Sequence, residues 1–61
     1  MTTKWNDYEG SGHHLSFMQF SDFDDVHYLV TDNEQEFRYE HENEAVLKLS
    51  ELVKQYNAIE V

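Results

Sequence analysis

Glu42-Asn43-Glu44-Ala45-Val46-Leu47-Lys48-Leu49-Ser50-Glu51-Leu52-Val53-Lys54-Gln55-Tyr56-Asn57 is the stretch on which the fold turns. Ala45, Val46, Leu49, Leu52, Val53 and Tyr56 recur at helical spacing, while Lys48, Glu51, Lys54 and Gln55 occupy the opposite side. That is the stripe of an amphipathic helix seated on a core. Asn43 is the expected N-cap, with Glu44 in the first turn and Lys54 near the end, each charge opposing the helix dipole. Glu44 and Lys48 form a favourably ordered i,i+4 pair. Asn57 suits the left-handed residue that closes a helix, so the helix is predicted over 43–57. Residues 58–61 are expected to be a short tail that packs under the sheet or extends the helix.

Upstream of residue 43 the period falls from 3.6 to two. Leu15 and Phe17 alternate with Ser16 and Met18, which predicts a first strand over 15–20. Val26, Tyr28 and Val30 share one face and His27, Leu29 and Thr31 the other, a β-branched and aromatic second strand. Phe37, Tyr39 and His41 alternate with Arg38, Glu40 and Glu42 as a third. Ser21-Asp22-Phe23-Asp24-Asp25 and Asp32-Asn33-Glu34-Gln35 are the connections, since Asp and Asn tolerate the positive φ of tight hairpins. Residues 1–14, with Gly10-Ser11-Gly12, show no periodicity and read as a flexible N-terminal segment. The expected architecture is α+β: a three-stranded antiparallel β-meander over 15–42 packed against one C-terminal amphipathic helix, a single small domain.

Composition bounds the function. The 61 residues are 39% hydrophobic and hold 13 acids against 4 Lys+Arg, for a formal charge of -9, with no cysteine and no proline. Without cysteine there is neither a disulfide framework nor a thiolate metal site, so packing alone must stabilise the fold. A chain this short buries only about 60% of the surface its unfolded form exposes. That makes a partner or a homodimer useful, and the Met18 and Phe20 side of the first strand offers a dimer face. No apolar run approaches the roughly 18 to 20 residues that span a bilayer, and no signal or transit pattern opens the sequence. The chain is expected in the cytoplasm. The charge repels nucleic acid and anionic membranes and favours a basic protein. Nine aromatic side chains argue for a folded domain rather than an acidic disordered one.

The acids are unevenly placed. Between residues 21 and 44 stand Asp22, Asp24, Asp25, Asp32, Glu34, Glu36, Glu40, Glu42 and Glu44 against Arg38 alone. Carboxylates at i and i+2 on a strand lie about 6.8 Å apart. That is close to the distance between successive phosphates along a nucleic-acid strand, whose axial rise is about 3.4 Å per nucleotide. These nine are the candidate surrogate phosphates, and a DNA-binding groove rich in Lys and Arg is their complement. The bland alternative is a solvated face that keeps a small domain soluble. Phe23, alone among acids, is read as a loop aromatic folding back on the core, with an exposed anchor as the alternative. Tyr39 is a second candidate anchor, although with Tyr28 and Phe37 it is also expected to meet the helical stripe.

His13, His14, His27 and His41 do not share a ligating face: His13 and His14 point apart if extended, and His41 and Glu44 straddle a strand-to-helix junction. No metal and no cofactor are expected. Ser11, Ser16, Ser21 and Ser50 lack a nucleophile signature, and no glycine-rich phosphate loop is present, so the chain is not expected to be an enzyme.

The run Val30-Thr31-Asp32-Asn33-Glu34, the aromatic strand Glu36-Phe37-Arg38-Tyr39-Glu40-His41 and the junction Glu42-Asn43-Glu44-Ala45-Val46-Leu47 resemble small acidic phage-encoded DNA mimics. Small type II anti-CRISPR proteins are one such branch, and the resemblance implies occupation of the DNA-reading grooves of an RNA-guided nuclease. Phage inhibitors of uracil-DNA glycosylase are the other, similar in a strand rich in Tyr and Glu followed by His. Asp32-Asn33-Glu34-Gln35 stands where anti-CRISPR relatives tend to carry glycine. The resemblance implies evasion of host defence inside an infected bacterium. The rival expectation is a non-inhibitory acidic interaction module or homodimeric adaptor.

Overall fold

A computed structural model describes residues 2–61 of the chain, with side chains from Trp5 onward; Met1, where the expected flexible segment begins, lies outside the described residues. Five strands and one helix follow in the order β1 (Thr2–Gly10), β2 (His13–Asp22), β3 (Asp25–Asp32), β4 (Gln35–Tyr39), α1 (Glu42–Tyr56) and β5 (Ile59–Glu60). They form one antiparallel sheet in the order β4-β3-β2-β1-β5. The α+β meander with a C-terminal helix is as expected. Its sheet has five strands rather than three.

The two additional strands come from segments read as irregular. Residues 2–10 pair with β2 from Thr2↔Phe20 to Gly10↔His13, with a bulge between Thr2 and Lys4. Ser11 and Gly12 have φ of 51° and 79°, so this two-residue connection has positive φ at both central positions, as a type I′ hairpin does. Ser11-Gly12 is therefore a hairpin turn, with Gly10 the last residue of β1. Gly10 itself is fixed by proximity: a Cβ there would lie 2.6 Å from both the Ala58 Cα and the Tyr56 carbonyl oxygen. The 58–61 tail supplies β5, pairing Ile59 with Glu9 and Glu60 with Tyr8, and the Val61 N–H donates to the Asp7 carbonyl at 3.0 Å.

Register sorts the side chains. Tyr8↔Leu15, Phe17↔Val30, Val30↔Phe37 and Tyr28↔Tyr39 put these residues on the face that α1 covers. The core there joins Leu15, Phe17, Tyr28 and Val30 to Ala45 and Leu52 of α1 and to Ala58, flanked by Tyr8, Phe37, Tyr39, Leu49, Val53 and Tyr56. Leu15, Phe17 and Val30 are the largest of the fully buried side chains among the described residues. Each contributes about 1.5–3 kcal/mol of burial. The Lys48 ammonium lies 4.5 Å from the Phe37 ring centroid and helps cover this face at its edge.

The helix begins one residue early. Its N-cap is His41, extended at φ -118° and ψ 133° with no side-chain capping bond, and not Asn43. Because β4 runs almost directly into the helix, Asn43 is already inside the first turn, and Glu42 and Glu44 compensate the exposed amide dipoles. At the other end Asn57 is left-handed, as expected, at φ 51°. The Ala58 N–H reaches the Val53 carbonyl at 2.9 Å and the Asn57 N–H the Lys54 carbonyl at 3.4 Å, the paired bonds of a Schellman closure.

Candidate functional site

The other side of the sheet carries no helix among the described residues. Successive side chains on a strand alternate in face, so the register also defines this open face row by row. At one end Asp22 stands opposite Asp25. Next come Phe20 and His27, with ring centroids 5.3 Å apart, and Glu40 beside them in a shallow depression of about 380 Å³ lined by Asp25, His27, Arg38, Tyr39 and Glu40. Trp5, Met18, Leu29 and Arg38 form the third row. Asp7, Ser16, Thr31 and Glu36 make the fourth. Glu9 and His14 close the face.

Four of the nine expected acids, Asp22, Asp25, Glu36 and Glu40, thus project from one surface. Asp24 and Glu34 sit in the β2–β3 and β3–β4 turns, and Glu42 and Glu44 in the first turn of α1, all exposed. The turn acids are not contiguous, because the β2–β3 and β3–β4 connections lie at opposite ends of β3, about 23 Å apart over seven residues.

Asp32 is a correction. It is only 6% exposed and faces the helix side, where His13 Nδ1 lies 2.7 Å from one carboxylate oxygen and the Tyr56 hydroxyl donates to the other at 3.2 Å. The His13 and Tyr56 rings stack with centroids 3.6 Å apart and 6° between their planes. Burial and the adjacent Asp32 carboxylate push the Tyr56 hydroxyl pKa up. Asp32 therefore binds the end of α1 to the sheet, and it is unavailable as a surrogate phosphate. Its position at the last residue of a strand on the covered face decides this, not its acidity.

Of the two candidate anchors, Phe23 is exposed and Tyr39 faces the core, as its place on the strand face toward the helix predicts. Phe23 does not fold back: it is fully exposed at the β2–β3 turn, with a left-handed φ of 53° that bulky residues rarely adopt. Tyr39 is half-buried and packs against the core cluster.

Asp7 and Glu9 belong to the open face and escaped the sequence reading because residues 1–14 were expected to be flexible. The Trp5 indole N–H donates to Asp7 Oδ1 at 2.8 Å and the Ser16 hydroxyl donates to the same oxygen at 2.9 Å. The Trp5 bond above all, helped by Ser16 and His14 against the opposing effect of burial, holds the Asp7 carboxyl below its ordinary pKa. His14 stands between two carboxylates, its Nδ1 3.2 Å from Glu9 and its Nε2 3.7 Å from Asp7. His13 and His14 do point to opposite faces.

Among the described residues no group of three or more His, Asp or Glu side chains is placed to hold a metal ion, and no helix is long and apolar enough to cross a membrane. The open face is a surface and not a cleft: exposed Trp5 with half-buried Met18 and Phe20, laid over a buried Leu29, with carboxylates on both sides. Searches of family models, curated proteins and solved structures find no match to the chain.

Proposed function

We propose that this chain is an acidic inhibitor, encoded by a phage or mobile element, that competes for the nucleic-acid-binding surface of a host protein inside the bacterial cell. Catalysis plays no part in this reading. The observation that carries it is the gathering of Asp7, Glu9, Asp22, Asp25, Glu36 and Glu40 on the open face, with Arg38 as the one Lys or Arg described there. The rows are spaced by about 6.8 Å along the strands. Like charges so placed repel within a Debye length of about 8–10 Å, a cost that a basic partner would offset. Phe23, fully exposed beside Asp22 and Asp24, supplies the apolar anchor that hot spots favour. An RNA-guided nuclease is the first target and uracil-DNA glycosylase the second.

Competition tests the reading. A fluorescent duplex bound to the purified target should be released by the chain, with an apparent affinity that falls steeply as salt rises. The Asp22→Asn, Asp25→Asn, Glu36→Gln, Glu40→Gln quadruple variant should keep the fold and lose competition. Undiminished competition by that variant would refute phosphate mimicry.

A further inference from the structure

The apolar band crosses the strands instead of running along them, and carboxylates frame it on both sides. Trp5, 57% exposed, and the half-buried Met18 follow one another across β1 and β2, with the half-buried Phe20 one row above Met18; Leu29 continues the row on β3 but is itself buried. Asp22, Asp25 and Glu40 lie beyond one margin; Asp7, Glu36 and Glu9 lie beyond the other. The Asp7 and Asp22 rows are separated by three steps of two residues, about 20 Å. From β1 to β3 the band is about 10 Å long, two strand spacings of roughly 4.8 Å, and Arg38 of β4 ends the row.

We infer that this band seats a basic amphipathic α-helix of the partner, laid across the strands with its apolar stripe on Trp5, Met18 and Phe20 and its Lys and Arg flanks against the two acidic margins. The inference rests on the reading of the open face as the docking surface for a basic protein. A helix with its side chains is about 10–12 Å wide, which fits between rows about 20 Å apart and leaves its flanking cations over the carboxylates. The 10 Å length corresponds to about six or seven residues at 1.5 Å each, a little under two turns. An extended strand would leave one of the margins unmet. A second copy of the chain is a poor occupant, because acidic margins would face acidic margins at a net charge of -9 per chain. The chain's own helix is already committed to the opposite face. Trp5 adds a reason for cationic flanks: an exposed indole next to an ionised Asp7 offers a ring face and a carboxylate to one Lys or Arg side chain.

The test uses the intact chain and an 18-residue peptide of Leu and Lys patterned with one apolar stripe. Trp5 is the sole tryptophan, so its emission reports on the band directly. At low salt the peptide should bind one to one, shift Trp5 emission to shorter wavelength and gain helical circular dichroism on binding. Met18→Lys, and Trp5→Ala followed by calorimetry, should each weaken binding at least about tenfold, equivalent to about 1.4 kcal/mol. Melting curves must first show both variants folded. A scrambled peptide of the same composition binding equally well would overturn the helix seat, as would unchanged affinity in both variants. Concentration-dependent dimerisation with burial of Trp5 would overturn it in favour of a second copy. Because no nucleic-acid enzyme takes part, failure here leaves the competition experiment unaffected, and failure of that competition leaves peptide binding to be judged alone.

Discussion

Replacing Phe23 by glycine should make the protein more stable, although it deletes the largest side chain of the β2–β3 turn. The ring is fully exposed, so truncation removes no burial. The backbone at Phe23 is left-handed, with φ 53°. That conformation costs an L-residue with a Cβ about 1–2 kcal/mol. Glycine adopts it freely but loses about 0.5–1 kcal/mol more chain entropy on folding. The difference is a net gain of about 0.5–1 kcal/mol. In a domain of this size, about 1 kcal/mol moves the melting midpoint by roughly 4–8 °C. Phe23→Gly should therefore melt about 2–8 °C higher, as followed by far-ultraviolet circular dichroism and checked by urea unfolding with unchanged m-value. Phe23→Asn should fall between, since Asn tolerates this region. Phe23→Ala keeps the strained backbone and should stay within about 0.5 kcal/mol of the parent. A lower midpoint for the glycine variant would refute the reasoning and mean that the ring contributes packing. If Phe23 is held in strain for a partner, the same variant should lose about 2 kcal/mol of binding, roughly thirtyfold.

Three further predictions concern the ties that close the fold. Gly10→Ala should destabilise by about 1–3 kcal/mol in urea unfolding, because its Cβ would collide with backbone at Ala58 and Tyr56 and not with a movable side chain. Asp7 has a folded pKa below its ordinary value of 3.8, so its contribution is complete above that pH and is lost as the pH falls through the lower folded value. Asp7→Asn should flatten acid unfolding below about pH 4, and Trp5 emission should follow the same titration in the parent. Tyr56 is shifted the other way, above 10.0, so its contribution is complete below that pH and is lost as the pH rises through the folded value. Alkaline melts should show that loss in the parent and a smaller one in Tyr56→Phe, which at neutral pH should be destabilised through loss of the bond to Asp32.

The helix and three strands were legible because each carries a strong apolar period: Leu15 and Phe17, Tyr28 and Val30, Phe37 and Tyr39, then the α1 stripe. β1 was not legible. Its two aromatics, Trp5 and Tyr8, fall on opposite faces of the sheet, so no single-face alternation survives in the sequence. Its identity as a strand is set by pairing with β2, which residue patterning does not record. The same applies to Ser11-Gly12, where a flexible linker and a positive-φ hairpin share one composition. The acidic character of the site was visible, but its geometry was not. Asp32 and Glu36 are four residues apart, yet one is buried under α1 and the other lies on the open face, because the two-residue turn pairs Asp32 with Gln35; the hairpin register makes that distinction and charge does not.

The pairing of β5 with β1 has a mechanical consequence. Thr2 and Val61 lie toward the same end of neighbouring antiparallel strands, and the Val61 N–H bond to Asp7 is the outermost rung of their ladder. Tension applied between the two ends of the chain would load those rungs one after another and not all together, as a zip opens. Under such pulling the short strand should peel away at low force, exposing the rim of β1 while the hairpins of β2, β3 and β4 remain closed.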